Sequence, residues 1–183
     1  DLHSAQIQGF FEVQADNLFA SPVLLDYIKS KKMPNLTIVS PDVGSLKMGR
    51  AFAKRLNADL AIVDKRRSDI DKTEVMNIIG EVKGRNIVIL DDMISSASTL
   101  LEAAGEIERR GASSIMACAT HPVFSGNACQ NIMNSSLKEV VVTNTLPFGS
   151  GRCPKVKVLD VSGILGEAIH RIHSNESVST LFV

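Results

Sequence analysis

NIVILDDMISSAST, residues 86–99, opens on an aliphatic run, turns acidic at Asp91 and Asp92, and closes on small hydroxyl side chains. The run at 87–90 is apolar without alternation, which suits a strand buried on both faces of a parallel sheet. Beyond the hydroxyl residues, Leu100, Leu101, Ala104 and Ile107 recur at helical spacing until Gly111, a C-cap signal. A helix N-terminus offers unpaired N–H groups and the positive end of a dipole to a phosphate. Small side chains let the backbone come close, and the paired carboxylates could accept hydrogen bonds from vicinal sugar hydroxyls or hold a metal-bound water. The same residues read equally well as a helix cap beside two solvated acids.

Outward from this unit the pattern repeats. Short Val/Ile-rich runs lie at Leu36–Ser40, 60–64, 115–120, Glu139–Thr143 and 156–161. Amphipathic stretches separate them: 48–56, with Met48, Ala51, Phe52 and Leu56 on one face, and 163–172 late in the chain. Such alternation indicates an α/β fold, a mainly parallel sheet flanked by helices. Ligands of these sheets bind beyond the carboxyl ends of the strands. The first 35 or so residues differ, with a helical pattern reaching Tyr27 and a loop at 29–34. Residues 148–154 read as an irregular loop.

The 183 residues suffice for one core and a little more. There is no unbroken apolar run of about 18 residues and no signal-peptide pattern, so no membrane association is expected. With 20 basic and 20 acidic residues the net charge is zero, without the electrostatic footprint of a nucleic-acid binder. The cluster Lys65-Arg66-Arg67 could mark a local anion site, although composition alone favours a solvated loop. Cys118, Cys129 and Cys153 fit neither a disulfide framework nor a zinc site, which points to a reduced, cytoplasmic setting. Opening at Asp1 within an ordered-looking segment, the chain reads as a fragment.

Residues 91–99 resemble the phosphoribosyl pyrophosphate loop of the type I phosphoribosyltransferase fold. The resemblance implies that Asp91 and Asp92 contact the ribose 2- and 3-hydroxyls, and that Ser95, Ser96, Ala97, Ser98 and Thr99 cradle the 5-phosphate. Ser95 stands where a third Asp is common. Ser98 stands where Gly is common, a position where Gly would serve close approach or an unusual φ. The opening DLHSAQIQGFFEVQADNL resembles the signature of ribose-phosphate diphosphokinases, with Asp1, Leu2, His3, Gln6, Gln8, Gly9, Phe10, Phe11, Asp16 and Asn17 in register. Ordinary phosphoribosyltransferases lack it. By this resemblance His3 is catalytic and meets magnesium and the ATP phosphates, while Asp1, Glu12 and Asp16 belong to the metal-binding region.

SPDVGS, residues 40–45, resembles the family's pyrophosphate loop. Asp42 is then a magnesium ligand, and Val43, Gly44 and Ser45 face the pyrophosphate; alone, the motif is a turn with Asp42 as a helix cap. Residues 64–84 resemble the flexible catalytic loop and the strand after it. Lys65 and Arg67 match its catalytic cations, which would stabilise charge during diphosphoryl transfer, with Arg66 supporting. Ser68 and Asp69 fall in a segment that is usually more basic. THPVFSG (120–126), VVTNT (141–145) and SVSTLF (177–182) extend the resemblance to the end, and His121 reads as structural rather than catalytic.

The resemblance therefore implies the C-terminal portion of a ribose-phosphate diphosphokinase. Residues 1–30 would be the tail of an N-terminal domain with its linking helix, and 31–183 the C-terminal domain. Its partners would be ATP and ribose 5-phosphate, its cofactor magnesium, and its assembly a homo-oligomer, a hexamer in the family. The portion alone is expected to be inactive. Two alternatives remain: an ordinary phosphoribosyltransferase, which has no use for the opening signature, and a non-catalytic regulatory associate of the synthetase.

Overall fold

The computed structural model describes residues 1–67, 74–149, 151 and 153–182; the side chains of Lys65, Arg66, Arg67, Glu74 and Val75 fall outside that description. Seven strands form one sheet: β1 (Leu36–Ser40), β2 (Asp59–Arg67), β3 (Glu74–Ile79), β4 (Asn86–Ile94), β5 (Ser114–Pro122), β6 (Glu139–Thr143) and β7 (Val156–Leu159). Their order is β3-β2-β1-β4-β5-β6-β7. Every pairing is parallel except β2 with β3, so the expected mainly parallel α/β architecture is the one observed.

The helices are α1 (Ser21–Ser30), α2 (Leu46–Leu56), α3 (Ser98–Arg109), α4 (Ala128–Met133) and α5 (Ser162–His173). Strand side chains alternate between two apolar layers, as a period of two requires. Val39, Ile87, Ile89, Ala117, Ala119, Val140 and Val142 face a layer completed by Leu100, Ala103, Ala104 and Ile107 of α3 and Ile132 of α4. Ile38, Val88, Leu90, Met116, Cys118 and Val141 face the opposite layer, closed by Leu24, Leu25 and Ile28 of α1 and Phe52 of α2. Each fully buried side chain such as Leu24 or Ile28 stabilises by roughly 2 kcal/mol. The helix ascribed in the sequence to a linker, α1, thus covers the sheet as an integral layer.

Polar residues at the strand ends are tied to the loops. The Thr143 hydroxyl donates to the Thr120 carbonyl at 2.7 Å, and the Ser40 hydroxyl to the Ser45 carbonyl at 3.3 Å. Among the described residues no buried side-chain nitrogen or oxygen lacks a partner. No helix among them is long and apolar enough to cross a membrane.

At one edge, β2 pairs with β1 only through Ile62, opposite Ser40; from Ile62 to Arg67 it pairs with β3. The β2–β3 ribbon therefore runs on past the carboxyl end of β1 by five residues, roughly 15 Å at strand rise, and places the backbone of Lys65, Arg66 and Arg67 there. Ser68 and Asp69 lie outside the described residues.

Candidate active site

The carboxyl ends of β1, β4 and β5 converge, and the opening segment crosses over them. Asp91 pairs across the ladder with Ala119, so Asp91 and Asp92 leave β4 beside Thr120 of β5. From the opening segment, His3 Nδ1 meets Asp92 Oδ2 at 2.7 Å, joining residues 89 apart in sequence. A cavity of about 510 Å³ opens between these elements, and its lining includes His3, Asp42, Asp91 and Asp92. That volume suits a small-molecule ligand. Its lining is partly apolar, with Leu24, Met48, Phe52, Phe19 and Phe182. The Phe19 and Phe182 rings meet edge to face at 5.5 Å, and the Phe182 carbonyl accepts from Arg55, which fixes the terminal segment on the cavity rim.

The electrostatics follow from crowding. Burial pushes the Asp91 carboxyl up to about 7; the Asp92 N–H, donating to Asp91 Oδ1 at 2.9 Å, opposes this, while the charges of Asp92 and Asp42 reinforce it. The hydrogen bond to Asp92 raises the His3 imidazole, and the charges of Asp92, Asp91 and Asp42 act in the same sense. His3 remains accessible, its side chain 71% exposed. An exposed imidazole whose protonation is favoured by the surrounding carboxylates can contact a phosphate at the cavity mouth while its other nitrogen stays anchored to Asp92.

Next to the cavity, residues 95–97 turn into α3. The Leu101 N–H donates to the Ala97 carbonyl at 2.9 Å as the first α-helical bond, and no side chain caps the helix. Of the early N–H groups of α3, that of Ser98 reaches the Ser96 hydroxyl at a long 3.4 Å, and a helix start of this kind suits an anion. The Ser96 and Ser98 hydroxyls are 2.9 Å apart. The Ser95 hydroxyl lies 3.1 Å from that of Ser125, whose N–H donates to the Ser95 carbonyl at 3.1 Å. The residue with left-handed backbone is Ala97, at φ 64, whereas Ser98 is already helical. The unusual φ anticipated at Ser98 thus belongs one residue earlier.

The second loop is a turn closed by Asp42, not a side-chain cap: Ser45 is the N-cap of α2, and no side chain caps that helix. Asp42 Oδ1 accepts from the Ser45 N–H at 3.0 Å and lies 3.2 Å from its hydroxyl, ahead of α2. Asp42, Gly44 and Ser45 also line the cavity, so the turn and the site share one carboxylate. Val43 is exposed beside them. Asp1 is engaged structurally: its Oδ2 accepts from the Ala20 N–H at 2.8 Å and the Thr120 hydroxyl at 2.7 Å. Glu12 and Asp16 are exposed and stand outside the cavity lining. Among the described residues, no three His, Cys, Asp or Glu side chains are grouped so as to hold a metal ion by themselves.

Lys47 and Arg55 of α2 line the cavity as well, though the sequence reading passed over them. Their signal was a stripe, Lys47, Ala51 and Arg55, four residues apart on one helix face. Such a stripe ordinarily marks a solvated face. Here the stripe is exposed as expected but forms part of the cavity wall, and Arg55 donates to the Phe182 carbonyl.

Comparison with known proteins agrees with this geometry. The family model of the phosphoribosyl synthetase-associated domain matches residues 68–183. A ribose-phosphate pyrophosphokinase of Neisseria meningitidis is 49% identical over 184 residues, covering 100% of this chain and 56% of that protein. One from Gloeobacter violaceus is 51% identical, with 100% and 55% covered. The chain thus spans little more than half the length of these relatives. Among solved structures, phosphoribosylpyrophosphate synthetase from Mycobacterium smegmatis superposes with a TM-score of 0.86 at 33% identity, over 96% of this chain and 57% of that one.

Proposed function

Because this chain belongs to the family of the phosphoribosyl synthetase-associated domain, we propose that it is the substrate-binding C-terminal part of a ribose-phosphate diphosphokinase, with residues 31–183 as the domain proper and 1–30 as the tail of a preceding domain with its linking helix, α1, packed onto this sheet. The whole protein would transfer the β,γ-diphosphoryl group of ATP to the anomeric hydroxyl of ribose 5-phosphate, releasing AMP. The observation that carries this reading is the 2.7 Å contact between His3 and Asp92. It joins the segment that resembles the diphosphokinase signature to the acidic pair Asp91 and Asp92 in one cavity, a juxtaposition that an ordinary phosphoribosyltransferase has no segment to make.

The residues divide the work. Asp91 and Asp92 accept hydrogen bonds from the ribose 2- and 3-hydroxyls. Ser95, Ser96, Ala97, Ser98 and Thr99 hold the 5-phosphate at the N-terminus of α3. His3, anchored on Asp92, contacts the ATP phosphates. Val43, Gly44 and Ser45 flank the diphosphoryl group, and Lys65 and Arg67, carried on the β2–β3 ribbon, would neutralise charge that develops during transfer. Holding the sugar hydroxyl in line with the β-phosphorus is worth more here than any single proton transfer.

Magnesium fits such a site. It is usually held by one or two carboxylates together with substrate phosphates and water. Asp42 would supply a carboxylate from this chain, with Asp1, Glu12 and Asp16 less well placed. The ion would shield the triphosphate charge. A homo-oligomer and a cytoplasmic setting accord with the family.

Phosphorus NMR of the full-length protein with ATP, magnesium and ribose 5-phosphate tests the proposal. AMP and phosphoribosyl pyrophosphate should appear together. No product, with a relative active under the same conditions, would favour the non-catalytic associate instead.

A further inference from the structure

His3 sits in an irregular segment ahead of the 3-10 helix Ala5–Phe10, which buries no residue. Something else must hold it over Asp92. Two residues earlier, the Asp1 carbonyl accepts a hydrogen bond from His121 Nε2 at 2.6 Å. In the neutral ring, donation by that nitrogen leaves His121 Nδ1 as an acceptor, and its neighbour is the Thr145 hydroxyl at 2.9 Å. The Thr145 hydroxyl also lies 3.2 Å from the Thr120 carbonyl, which receives the Thr143 hydroxyl at 2.7 Å; its single proton is assigned to the closer Nδ1. The Asp1 carboxylate bridges the Thr120 hydroxyl and the Ala20 N–H, and the Leu2 N–H donates to Asn17 Oδ1 at 3.3 Å. Asp1 is thus latched to the end of β5 through its carbonyl at His121 and its carboxylate at Thr120, while the Leu2 N–H is held by Asn17. β5 is the direct neighbour of β4, which carries Asp92.

We propose that His121, oriented by Thr145, is a positioning residue for His3: it latches the opening segment to β5 so that His3 stands at Asp92. This rests on the catalytic role given to His3 above. The latch itself can be tested without that role. His121 touches the backbone of Asp1 and not the cavity, so its part is geometric. Misplacing a catalytic group by about 1 Å can cost on the order of 100-fold in rate.

Three variants test this. His121→Phe keeps the bulk and loses the donor; His121→Gln keeps an N–H donor; Thr145→Val leaves Nδ1 without its proton donor. In this chain, ¹⁵N relaxation of Leu2, His3 and Ser4 should report faster motion in His121→Phe and Thr145→Val, and order close to that of the unmodified chain in His121→Gln. In the full-length protein, His121→Phe should lower kcat by about 10- to 100-fold with little change in KM for ribose 5-phosphate. His121→Gln should recover most of that loss. If His121→Phe fails to fold, Thr145→Val carries the decision. Unchanged order at Leu2–Ser4 in the variants overturns the latch. Order lost with kcat intact overturns the positioning of His3. A full-length protein that makes no phosphoribosyl pyrophosphate in any form sinks the functional reading, and the relaxation data then decide the latch alone.

Discussion

Replacing Asp91 by Asn should make the protein more stable at neutral pH while removing sugar-phosphate binding. The carboxyl is raised from 3.8 to about 7, mainly by burial. A carboxyl raised in the folded state binds its proton there more tightly than in the unfolded chain. Between those two values the folded state holds the extra proton, so stability from this group falls as pH rises through the window and levels off above it. The full rise corresponds to at most about 4 kcal/mol. Asn retains an oxygen for the Asp92 N–H, now 2.9 Å away, but that neutral bond is weaker than the one the carboxylate accepts. Solvent on the cavity side screens part of the remainder. A gain of roughly 1–2 kcal/mol near pH 8 is expected, shrinking toward zero near pH 4. Urea unfolding of both proteins, followed by circular dichroism at these two pH values, measures the difference directly. An Asn variant no more stable than the parent near pH 8, or a gap that does not narrow in acid, would refute the reasoning. The trade is a familiar one, in which a functional group is kept at a cost in stability.

Other expectations follow from single contacts. Gly80, at φ 116, has Ala61 Cβ 2.7 Å and the Leu60 carbonyl 2.8 Å from where a side chain would begin. Gly80→Ala should therefore destabilise by about 2–4 kcal/mol in denaturant titration, whereas Gly105→Ala, with open space around it in α3, should stabilise by up to about 1 kcal/mol. Arg110 joins Glu106 at 2.8 Å to the Ile78 carbonyl at 3.2 Å, holding the edge strand β3 to α3. Arg110→Ala should cost about 1–2 kcal/mol and speed amide exchange in β3. Lys65→Ala in the full-length protein should lower kcat by about 100- to 1,000-fold, read by phosphorus NMR; an unchanged rate would favour the regulatory associate.

The strands were legible where apolar runs and hydrogen-bond ladders coincide. Leu36–Ser40 and Glu139–Thr143 end as the sequence indicates, because burial on both faces stops where pairing stops. β4 and β5 run further than their apolar cores, since the ladder continues through Asp91↔Ala119 to Ile94↔Pro122 and hydropathy does not register backbone pairing. The six-residue α4 escaped notice because Ala128 to Met133 is too short to display a helical period. Helix α3 ended as read: Arg109 closes it and Gly111 follows at φ 85. In the site, local motifs marked His3, Asp42, Asp91 and Asp92. Lys47 and Arg55 did not stand out, because the other walls of the cavity they line come from segments at both ends of the chain.

The two serines in the loop proposed to hold the sugar phosphate bear on whether this chain can serve catalysis. A glycine at position 98 would matter if that residue needed a left-handed backbone or left no room for a side chain. Neither demand falls there: Ser98 begins α3 with helical geometry and is exposed. The left-handed residue is Ala97, whose conformation costs on the order of 1 kcal/mol and whose methyl is buried among the α3 side chains. Strain placed at the entrance of the helix turns the early N–H groups toward the loop, and strain of this kind concentrates at functional sites. Ser98 adds a hydroxyl 2.9 Å from that of Ser96, and the pair can reorient toward a phosphate without moving the backbone. Ser95, linked to Ser125 at 3.1 Å, substitutes a neutral bridge to the neighbouring loop for a third carboxylate beside an anion site. Both departures therefore leave the loop with its backbone donors and remove, at Ser95, a negative charge that would repel a phosphate.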